Sequence, residues 1–228
     1  NHDKSYVAEF KFGYSSDTLD VWGEVKEEKT PFITKDMLEK TVKNFVGEQM
    51  QVPPMYSAIQ KDGVRLYELA RQGIEIEREA RKITIYSCEL LSFDEEKQEG
   101  KIAVSCSKGT YIRSLIDDIA KSLNESAVMT ALTRTSACGF TLDNAISLGK
   151  LKEIAESDEL SAYMQSLESL FVTYPELIVS EKQAHRFRNG NPLDINRTRL
   201  RDIEPNNGDV YRVKSEEGEL LALGVVDL

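Results

Sequence analysis

The stretch Ser107-Lys108-Gly109-Thr110-Tyr111-Ile112-Arg113 lies between two clear sequence patterns. Residues 101–106 are typical of a strand, with Ile102, Val104 and Cys106 on one face, and apolar residues recur at helical spacing over residues 112–123. The stretch is therefore predicted to be a strand-to-helix turn. Arg113 falls in the first helical turn, where the helix dipole disfavours a cation, so we expect an anion close to it.

Two partners for Arg113 fit this spacing. The free backbone N–H groups at the start of a helix favour an anionic ligand, and Lys108 and Arg113 flank that point. Alternatively, Arg113 pairs with Asp117 one turn further on, an exposed contact worth about 0.3–0.5 kcal/mol. Both interpretations remain open on the spacing alone.

The composition narrows the class of protein. A chain of 228 residues with 40% hydrophobic content can form one large domain, or a large domain with a small companion. The net charge of −10 argues against an extensive basic surface but allows a local basic patch. No apolar run reaches the length of a membrane span, so no membrane association is expected.

The cysteines indicate the compartment. Cys88, Cys106 and Cys138 are widely spaced, with no cysteine–histidine cluster that would indicate a metal site. An odd number of unclustered thiols is typical of a reducing compartment. We therefore predict a cytoplasmic protein that binds no metal.

Periodicity places the main elements. Alternating residues predict a strand over 6–12, and residues 83–91 and 101–106 are predicted to form a hairpin. Helices are predicted over 66–71 and from Arg113, with a short helix over 127–132 and a helical pattern over 150–170. From about Val172 the segments become short and β-rich, which predicts a large domain over 1–171 and a small β domain over 172–228.

Residues 56–82 differ in charge from the rest of this acidic chain, and we call them the thumb segment. Cations outnumber acids there, and Tyr56 and Tyr67 are interspersed among them. Basic and aromatic side chains together suit a phosphate backbone and unstacked bases. The alternative is a solvated surface helix over 66–71 whose charges serve solubility.

Asp17 and Asp20 are a second candidate pair. Two carboxylates three residues apart could serve metal binding or acid–base chemistry. In a polar segment such as Ser15–Asp20 they more often accept hydrogen bonds from nearby backbone N–H groups, so we interpret both as turn formers.

These motifs together resemble the TruB family of tRNA pseudouridine synthases. Asp3-Lys4-Ser5-Tyr6 is similar to the family's DKxY segment, and residues 107–113 match SKGTYIR at every position. Further matches are Phe12-Gly13 with Asp17-Thr18 and Asp20 to FGxxTDTxD, residues 53–58 to PPMYSA, and residues 66–73 to LYExARxG. The agreement runs in the same order from Asp3 to Phe140, and residues 172–228 resemble a PUA domain more weakly.

The resemblance implies an activity and a fold. The family isomerises the T-loop uridine of tRNA to pseudouridine without a cofactor or metal. Its fold is α+β, with a mixed, mostly antiparallel sheet flanked by helices. For this chain we accordingly expect the T stem-loop of tRNA as partner, a PUA-like RNA-binding domain over 172–228, and a monomer.

The resemblance also implies roles for single residues. Tyr6, matching the DKxY tyrosine, would stack on the flipped base and is a candidate for moving the C5 proton. Arg113, matching the last residue of SKGTYIR, would pair with the catalytic aspartate. The thumb segment would close over the RNA stem-loop. The candidate RNA-binding residues are Lys4, Tyr56, Lys61, Arg65, Tyr67, Arg71, Lys108, Tyr111 and Arg134.

One family motif has no match. The catalytic aspartate of the family lies in a GTLDP motif upstream of DKxY, and this chain starts after that point of the family pattern. Thr18-Leu19-Asp20 lacks the following proline and follows DKxY, so Asp20 is not assigned as the nucleophile. A fragment, a disordered N-terminal part, or a member that has lost catalysis would each explain the difference.

Two expectations follow from the unmatched motif. Arg113 would lack its ionic partner, and the chain alone would be inactive. A non-catalytic tRNA-binding or tRNA-folding module is the alternative function.

Overall fold

The computed structural model describes residues 3–157 and 159–228 and separates two compact units between Ala145 and Ile146. The helices of the first unit are α1 (Lys35–Lys43), α2 (Leu66–Arg71) and α3 (Ile112–Ser122). Its strands are β1 (Lys4–Phe12), β2 (Tyr14–Ser16), β3 (Val25–Glu27), β4 (Gly47–Gln51), β5 (Gln60–Lys61), β6 (Val64–Arg65), β7 (Arg81–Asp94), β8 (Glu99–Cys106), β9 (Ala127–Ala137) and β10 (Phe140–Thr141).

A six-stranded sheet of order β10-β9-β1-β8-β7-β4 is the frame of the first unit. All of its strand pairings are antiparallel, and an isolated parallel bridge joins Asp20 to Met129 at its side. The predicted hairpin of residues 83–91 and 101–106 is confirmed, because β7 and β8 pair directly. The coarse α+β prediction with a mostly antiparallel sheet is likewise confirmed.

The core lies between this sheet and two helices. Strand β1 alternates, so that Ala8, Phe10 and Phe12 point to one face and are buried there. Leu38 of α1 and Leu115 of α3 pack in the same cluster. This packing fixes the start of α3 against the sheet, and with it the position of Arg113.

The predicted short helix over residues 127–132 is wrong, because these residues belong to strand β9. β9 pairs with β1 from Ala127 to Ala137 in an antiparallel ladder. A short apolar run can fit a helix or a buried strand equally well, and here an available partner strand decides the outcome. The β-branched Val128 and Thr130 also suit the pleated surface.

The thumb segment contains local structure of its own. Strands β5 and β6 form a small antiparallel hairpin that leads into α2. The predicted helix over 66–71 is confirmed, and Gly73 follows it with φ of +73°, a conformation that glycine adopts without strain.

The second unit contains helices α4 (Leu148–Glu156), α5 (Leu160–Tyr163) and α6 (Glu181–Arg188), and strands β11 (Glu176–Val179), β12 (Val210–Ser215) and β13 (Leu220–Val225). Strand β12 pairs in parallel with β11 and antiparallel with β13. The core of this unit includes Leu177, Val179, Ala184 and Val213. All three strands of this unit lie after Val172, while the unit itself begins at Ile146; the domain boundary between 171 and 172 stays a prediction.

The helical pattern predicted over residues 150–170 is interrupted. Helix α4 ends at Glu156, and a 3₁₀ turn forms over Leu167–Phe171. The Ser157 hydroxyl donates back to the Ile154 carbonyl at 3.1 Å, which satisfies one of the last carbonyls of α4. Asp158, within the same predicted helix, lies outside the described residues.

Within residues 3–157 and 159–228, no helix combines the length and the apolarity required to cross a membrane.

Replacing Leu115 by alanine tests the packing of α3. Leu115 is fully buried, so the variant should lower the free energy of unfolding by about 2–5 kcal/mol through lost burial and a residual cavity. Urea unfolding followed by circular dichroism measures the change. Leu132→Ala, at an exposed position of β9, should cost far less. Equal losses in the two variants would contradict the proposed core.

Candidate active site

Arg113 forms the centre of the site. Its Nη1 atom donates to the Thr18 carbonyl at 2.8 Å and to Asp20 Oδ2 at 3.0 Å. Its Nη2 atom donates to the Tyr56 carbonyl at 2.8 Å. The side chains of Arg113 and Asp20 are only 21% and 12% exposed, so this ion pair is largely shielded from water. The anion expected near the start of α3 is thus a carboxylate of the same chain.

This pairing corrects two expectations. Arg113 does not pair with Asp117, because Asp117 accepts from Lys121 at 2.6 Å. Arg113 also has an ionic partner within the chain, contrary to the expectation drawn from the unmatched motif. Asp20 can bind Arg113 and still act as a turn former because its carboxylate has two oxygens. Asp20 Oδ2 binds Arg113, while Asp20 Oδ1 accepts from the Trp22 N–H at 3.0 Å and from the Thr18 hydroxyl at 2.7 Å.

Asp17 joins the same cluster through Tyr56. Asp17 Oδ1 accepts from the Glu24 N–H at 2.8 Å, which confirms its role as a turn former. Desolvation acts to raise the pKa of Asp17, but the hydrogen bonds from Glu24 and from the Tyr56 hydroxyl outweigh it, and the net pKa is lowered. The same hydrogen bond raises the pKa of Tyr56. We call Asp17, Thr18, Asp20, Tyr56 and Arg113 the Arg113 network.

Gln51 is a site residue that no sequence motif predicted. Its buried side-chain amide accepts from the Tyr111 N–H at 2.8 Å and donates to the Tyr111 carbonyl at 3.1 Å. Tyr111 is the N-cap residue of α3 and makes no side-chain capping bond. Gln51 thus holds the backbone two residues before Arg113. Only its burial at the end of β4 reveals this role.

The thumb segment brings three predicted residues together. The Arg65 and Arg71 guanidinium carbons lie 5.9 and 5.4 Å from the centroid of the Tyr67 ring. The Tyr67 N–H donates to the Ser57 carbonyl at 3.1 Å, so α2 begins beside Tyr56. Lys61 lies further along, with its ammonium 3.1 Å from the Glu77 carbonyl.

Tyr6 belongs to a second cluster, at the beginning of β1. It is half-buried and lies opposite Arg134 of β9, with which its hydroxyl forms a hydrogen bond. Burial raises the pKa of Tyr6, although Arg134 acts in the opposite direction. Cys106 is a close neighbour of Tyr6, and burial raises the pKa of its thiol despite a hydrogen bond with Thr110.

The remaining predicted residues lie around these clusters. Lys4 is the first residue of β1 and pairs in register with Cys106. Lys108 is exposed in the turn before α3, where Gly109 adopts φ of +85°. No described contact joins Tyr6 or Lys108 directly to the Arg113 network. In the described part of the chain, no three histidine, cysteine or acidic side chains are grouped to hold a metal ion.

Solved structures share this fold. The chain aligns with a chain of a Cbf5–Nop10–Gar1 complex with a TM-score of 0.69 and 22% identity, covering 99% of this chain and 60% of that one. It aligns with a chain of the archaeal box H/ACA sRNP Nop10–Cbf5 complex with a TM-score of 0.66 and 20% identity, covering 100% of this chain and 60% of that one. These similarities establish the fold.

Sequence comparison defines the class and then the family. A family model described as TruB family pseudouridylate synthase (N terminal domain) matches residues 1–112, which places the chain among the pseudouridylate synthases. The tRNA pseudouridine synthase B of Clostridium perfringens strain 13 is 44% identical over 225 residues, which are 98% of this chain and 74% of that protein. That of Lactobacillus johnsonii is 39% identical over 95% of this chain and 75% of its own length. This chain belongs to the TruB family of tRNA pseudouridine synthases.

Replacing Gln51 by alanine tests how the start of α3 is held. The variant leaves the Tyr111 N–H without its described acceptor and removes one of two donors to the Tyr111 carbonyl, which still accepts from the Leu115 N–H. The free energy of unfolding should therefore fall by about 1–3 kcal/mol. Urea unfolding provides the measurement, and Gln72→Ala at an exposed position is the matched control. If both variants unfolded alike, Gln51 would not be holding the helix.

Proposed function

We propose that this RNA pseudouridine synthase converts the T-loop uridine of tRNA into pseudouridine, and that the Arg113 network orients the catalytic carboxylate. The observation that carries the proposal is the fixed Arg113 guanidinium at the start of α3, within the full SKGTYIR match. The curated relatives are named as tRNA pseudouridine synthases. A non-catalytic tRNA-binding module is not favoured for that reason.

The proposed reaction conserves atoms and electrons. An aspartate attacks the nucleotide, the bond between C1′ and uracil N1 breaks, a bond between C1′ and C5 forms, and the aspartate is released unchanged. The C5 proton then leaves, while N1 gains a proton. Because substrate and product are isomers, the reaction needs no oxidant, reductant or group donor, which is consistent with the proposal that no cofactor takes part.

The geometry of Arg113 suits it to binding a further carboxylate. Its described hydrogen bonds leave the Nε–H and one Nη2–H without an acceptor among the described residues. The planar guanidinium can bind a second carboxylate through these donors while Asp20 and two carbonyls hold it in place. We assign Arg113 as the residue that orients the nucleophilic aspartate, and Asp20 as the residue that positions Arg113.

Tyr6 is proposed to hold the flipped base. A half-buried aromatic ring provides a surface for a base that has left the stack, and such stacking offsets part of the few kcal/mol that flipping costs. Because the pKa of Tyr6 is raised, its hydroxyl stays protonated at neutral pH before the reaction. We propose that the hydroxyl takes part in moving the C5 proton; its hydrogen bond with Arg134 supports that role.

The thumb segment is proposed to bind the phosphate backbone of the T stem-loop. Lys61, Arg65 and Arg71 supply the charge, and Tyr67 supplies an aromatic ring between them. Arg78 supports this role. Its Nε and Nη1 atoms are buried without hydrogen-bond partners among the described residues. Arg78 also lines a cavity with the cationic Lys61 and Arg81 and the acidic Glu77 and Glu79. Unpaired buried cationic donors favour an incoming anion. The other residues proposed to contact RNA are Lys4, Tyr56, Lys108, Tyr111 and Arg134.

The second unit is proposed to be an additional RNA-binding module. Two features support that proposal. The three-stranded sheet of this unit contains one parallel and one antiparallel strand pair, and residues 172–228 are weakly similar to a PUA domain. We further propose that the protein acts as a monomer in the cytoplasm, where tRNA is available.

Neutralising Arg65 and Arg71 together should weaken binding of a T stem-loop RNA and reduce its salt dependence. Each lost phosphate contact lowers the slope of log K against log salt by about 1, so the double variant Arg65→Gln/Arg71→Gln should lose about 2. Filter binding between about 50 and 200 mM salt measures this slope.

The matched control for this charge change is Lys97→Gln, in the β7–β8 turn, where Lys97 pairs with Asp94. It should leave the slope unchanged. An unchanged slope in the double variant would contradict the role assigned to the thumb segment.

Replacing Arg113 by lysine should abolish most activity in the complete gene product that contains this chain. Lysine keeps the charge but cannot contact Thr18, Asp20 and Tyr56 through a planar fork, and misplacing a catalytic group costs on the order of 100-fold in rate. Tritium release from C5-labelled uridine in a T stem-loop RNA measures the rate.

Asp117→Asn is the control for Arg113→Lys, since it removes the carboxylate one turn away that pairs with Lys121 instead. It should retain near-normal release. If Arg113→Lys released tritium at the wild-type rate, the orienting role of Arg113 would be wrong.

A further inference from the structure

Trp22 is an unusually exposed side chain at the edge of the site. It is the single tryptophan of the chain, and 91% of its surface is accessible. Isolated apolar residues on a protein surface are common and need no explanation. Two further observations distinguish Trp22 from that background: the rigidity of its backbone and its connection to Arg113 through Asp20.

The backbone around Trp22 is fixed from both sides. The backbone N–H of Trp22 donates to Asp20 Oδ1 at 3.0 Å, and the backbone N–H of Val21 donates to the Met129 carbonyl at 3.1 Å. Gly23, which follows, has no room for a side chain, because a Cβ atom there would lie 2.1 Å from Asp17 Oδ1. The loop backbone that carries the exposed indole is therefore ordered.

The position of Trp22 relates it to the Arg113 network. The Asp20 carboxylate accepts hydrogen bonds from both the backbone N–H of Trp22 and the guanidinium of Arg113. Asp17, in the same loop, bonds the Tyr56 hydroxyl, and Arg71 acts electrostatically on Tyr56. The backbone of Trp22 is thus tied to the carboxylate that also holds Arg113, in the loop whose Asp17 bonds Tyr56.

We propose that the Trp22 indole stacks on an unpaired nucleobase of the bound RNA next to the flipped uridine, a proposal that rests on the proposed function. When one base leaves a stack, its neighbours lose a stacking partner, and a rigid aromatic side chain at the rim can replace it. Because the backbone is already ordered, little conformational entropy is lost on binding. Trp22 is therefore a positioning residue that sets where the RNA lies before the reaction.

A nucleobase fits this place better than an apolar protein segment. Trp22 lies in the loop between Val21 and Gly23; the exposed apolar side chains near it are the small Val21 and Val25, and the polar Asp20 and Glu24 flank it as well. A protein segment docking here would need a wider apolar surface, whereas a base needs only a planar partner and tolerates polar edges. Stacking also tolerates any base, because every base has a planar face.

Because Trp22 is the only tryptophan, its fluorescence reports the contact directly. Titrating the chain with a T stem-loop RNA should quench this fluorescence with the same dissociation constant as an independent binding assay. Trp22→Ala and Trp22→Leu should weaken binding by roughly 5- to 150-fold, the range expected for one stacked base, while Trp22→Phe should retain most of the affinity. In the complete gene product, Trp22→Ala should raise KM for the RNA and leave kcat nearly unchanged.

Phe32→Ala provides the matched control. Phe32 is 83% exposed but follows Lys29, whose ammonium bonds the Asn124 carbonyl beyond the far end of α3 from Arg113. This variant should bind RNA with unchanged affinity.

The outcomes separate this inference from the proposed function. RNA binding with unchanged Trp22 fluorescence, or Trp22→Leu binding as tightly as wild type, would overturn the stacking role and leave the proposed function intact. A shift in Trp22 emission that follows protein concentration without RNA would identify a second copy as the occupant and overturn the inference. If the wild-type chain bound no RNA, the proposed function would fail, and the inference with it.

Discussion

The site depends on the hydrogen bonds that the Arg113 guanidinium donates. Its acceptors, Thr18, Asp20 and Tyr56, lie 95, 93 and 57 residues away along the chain, so one planar group joins the start of α3 to two separate loops. A guanidinium cannot be deprotonated in proteins, and this one is largely shielded from water. Withdrawing any acceptor would leave a shielded charge less well solvated. The loops therefore cannot move independently of the helix start.

Local signals explain which parts of the site the sequence could predict. The turn before α3, the helix over 66–71 and the need for an anion beside Arg113 all follow from short-range patterns and from the helix dipole. The identity of that anion could not be predicted, because Asp20 already had a sufficient local role as a turn former. The structure shows that both roles are filled at once, one by each carboxylate oxygen. A local explanation for a polar residue therefore does not exclude a distant one.

Long-range pairing explains where prediction failed. Residues 127–132 form a strand because β1 offers a free edge, and that partner lies more than a hundred residues earlier in the chain. Gln51 illustrates the same limit at a single residue. Nothing in its neighbourhood distinguishes it from Gln49, yet its amide holds the N-cap of α3 while that of Gln49 bonds the Phe45 carbonyl. Such roles depend on which distant segments of the chain are in contact, and a single sequence does not show those contacts directly.

Charge distribution explains how an acidic chain can bind a polyanion. With a net charge of −10, the chain as a whole repels RNA, and the Arg113–Asp20 pair is neutral as a unit. It therefore contributes little field beyond the Debye length of about 8 Å at physiological salt. The thumb segment, where cations outnumber acids, is therefore the segment that we propose to supply the attraction over distance. The proposed function thus assigns attraction and chemistry to different segments.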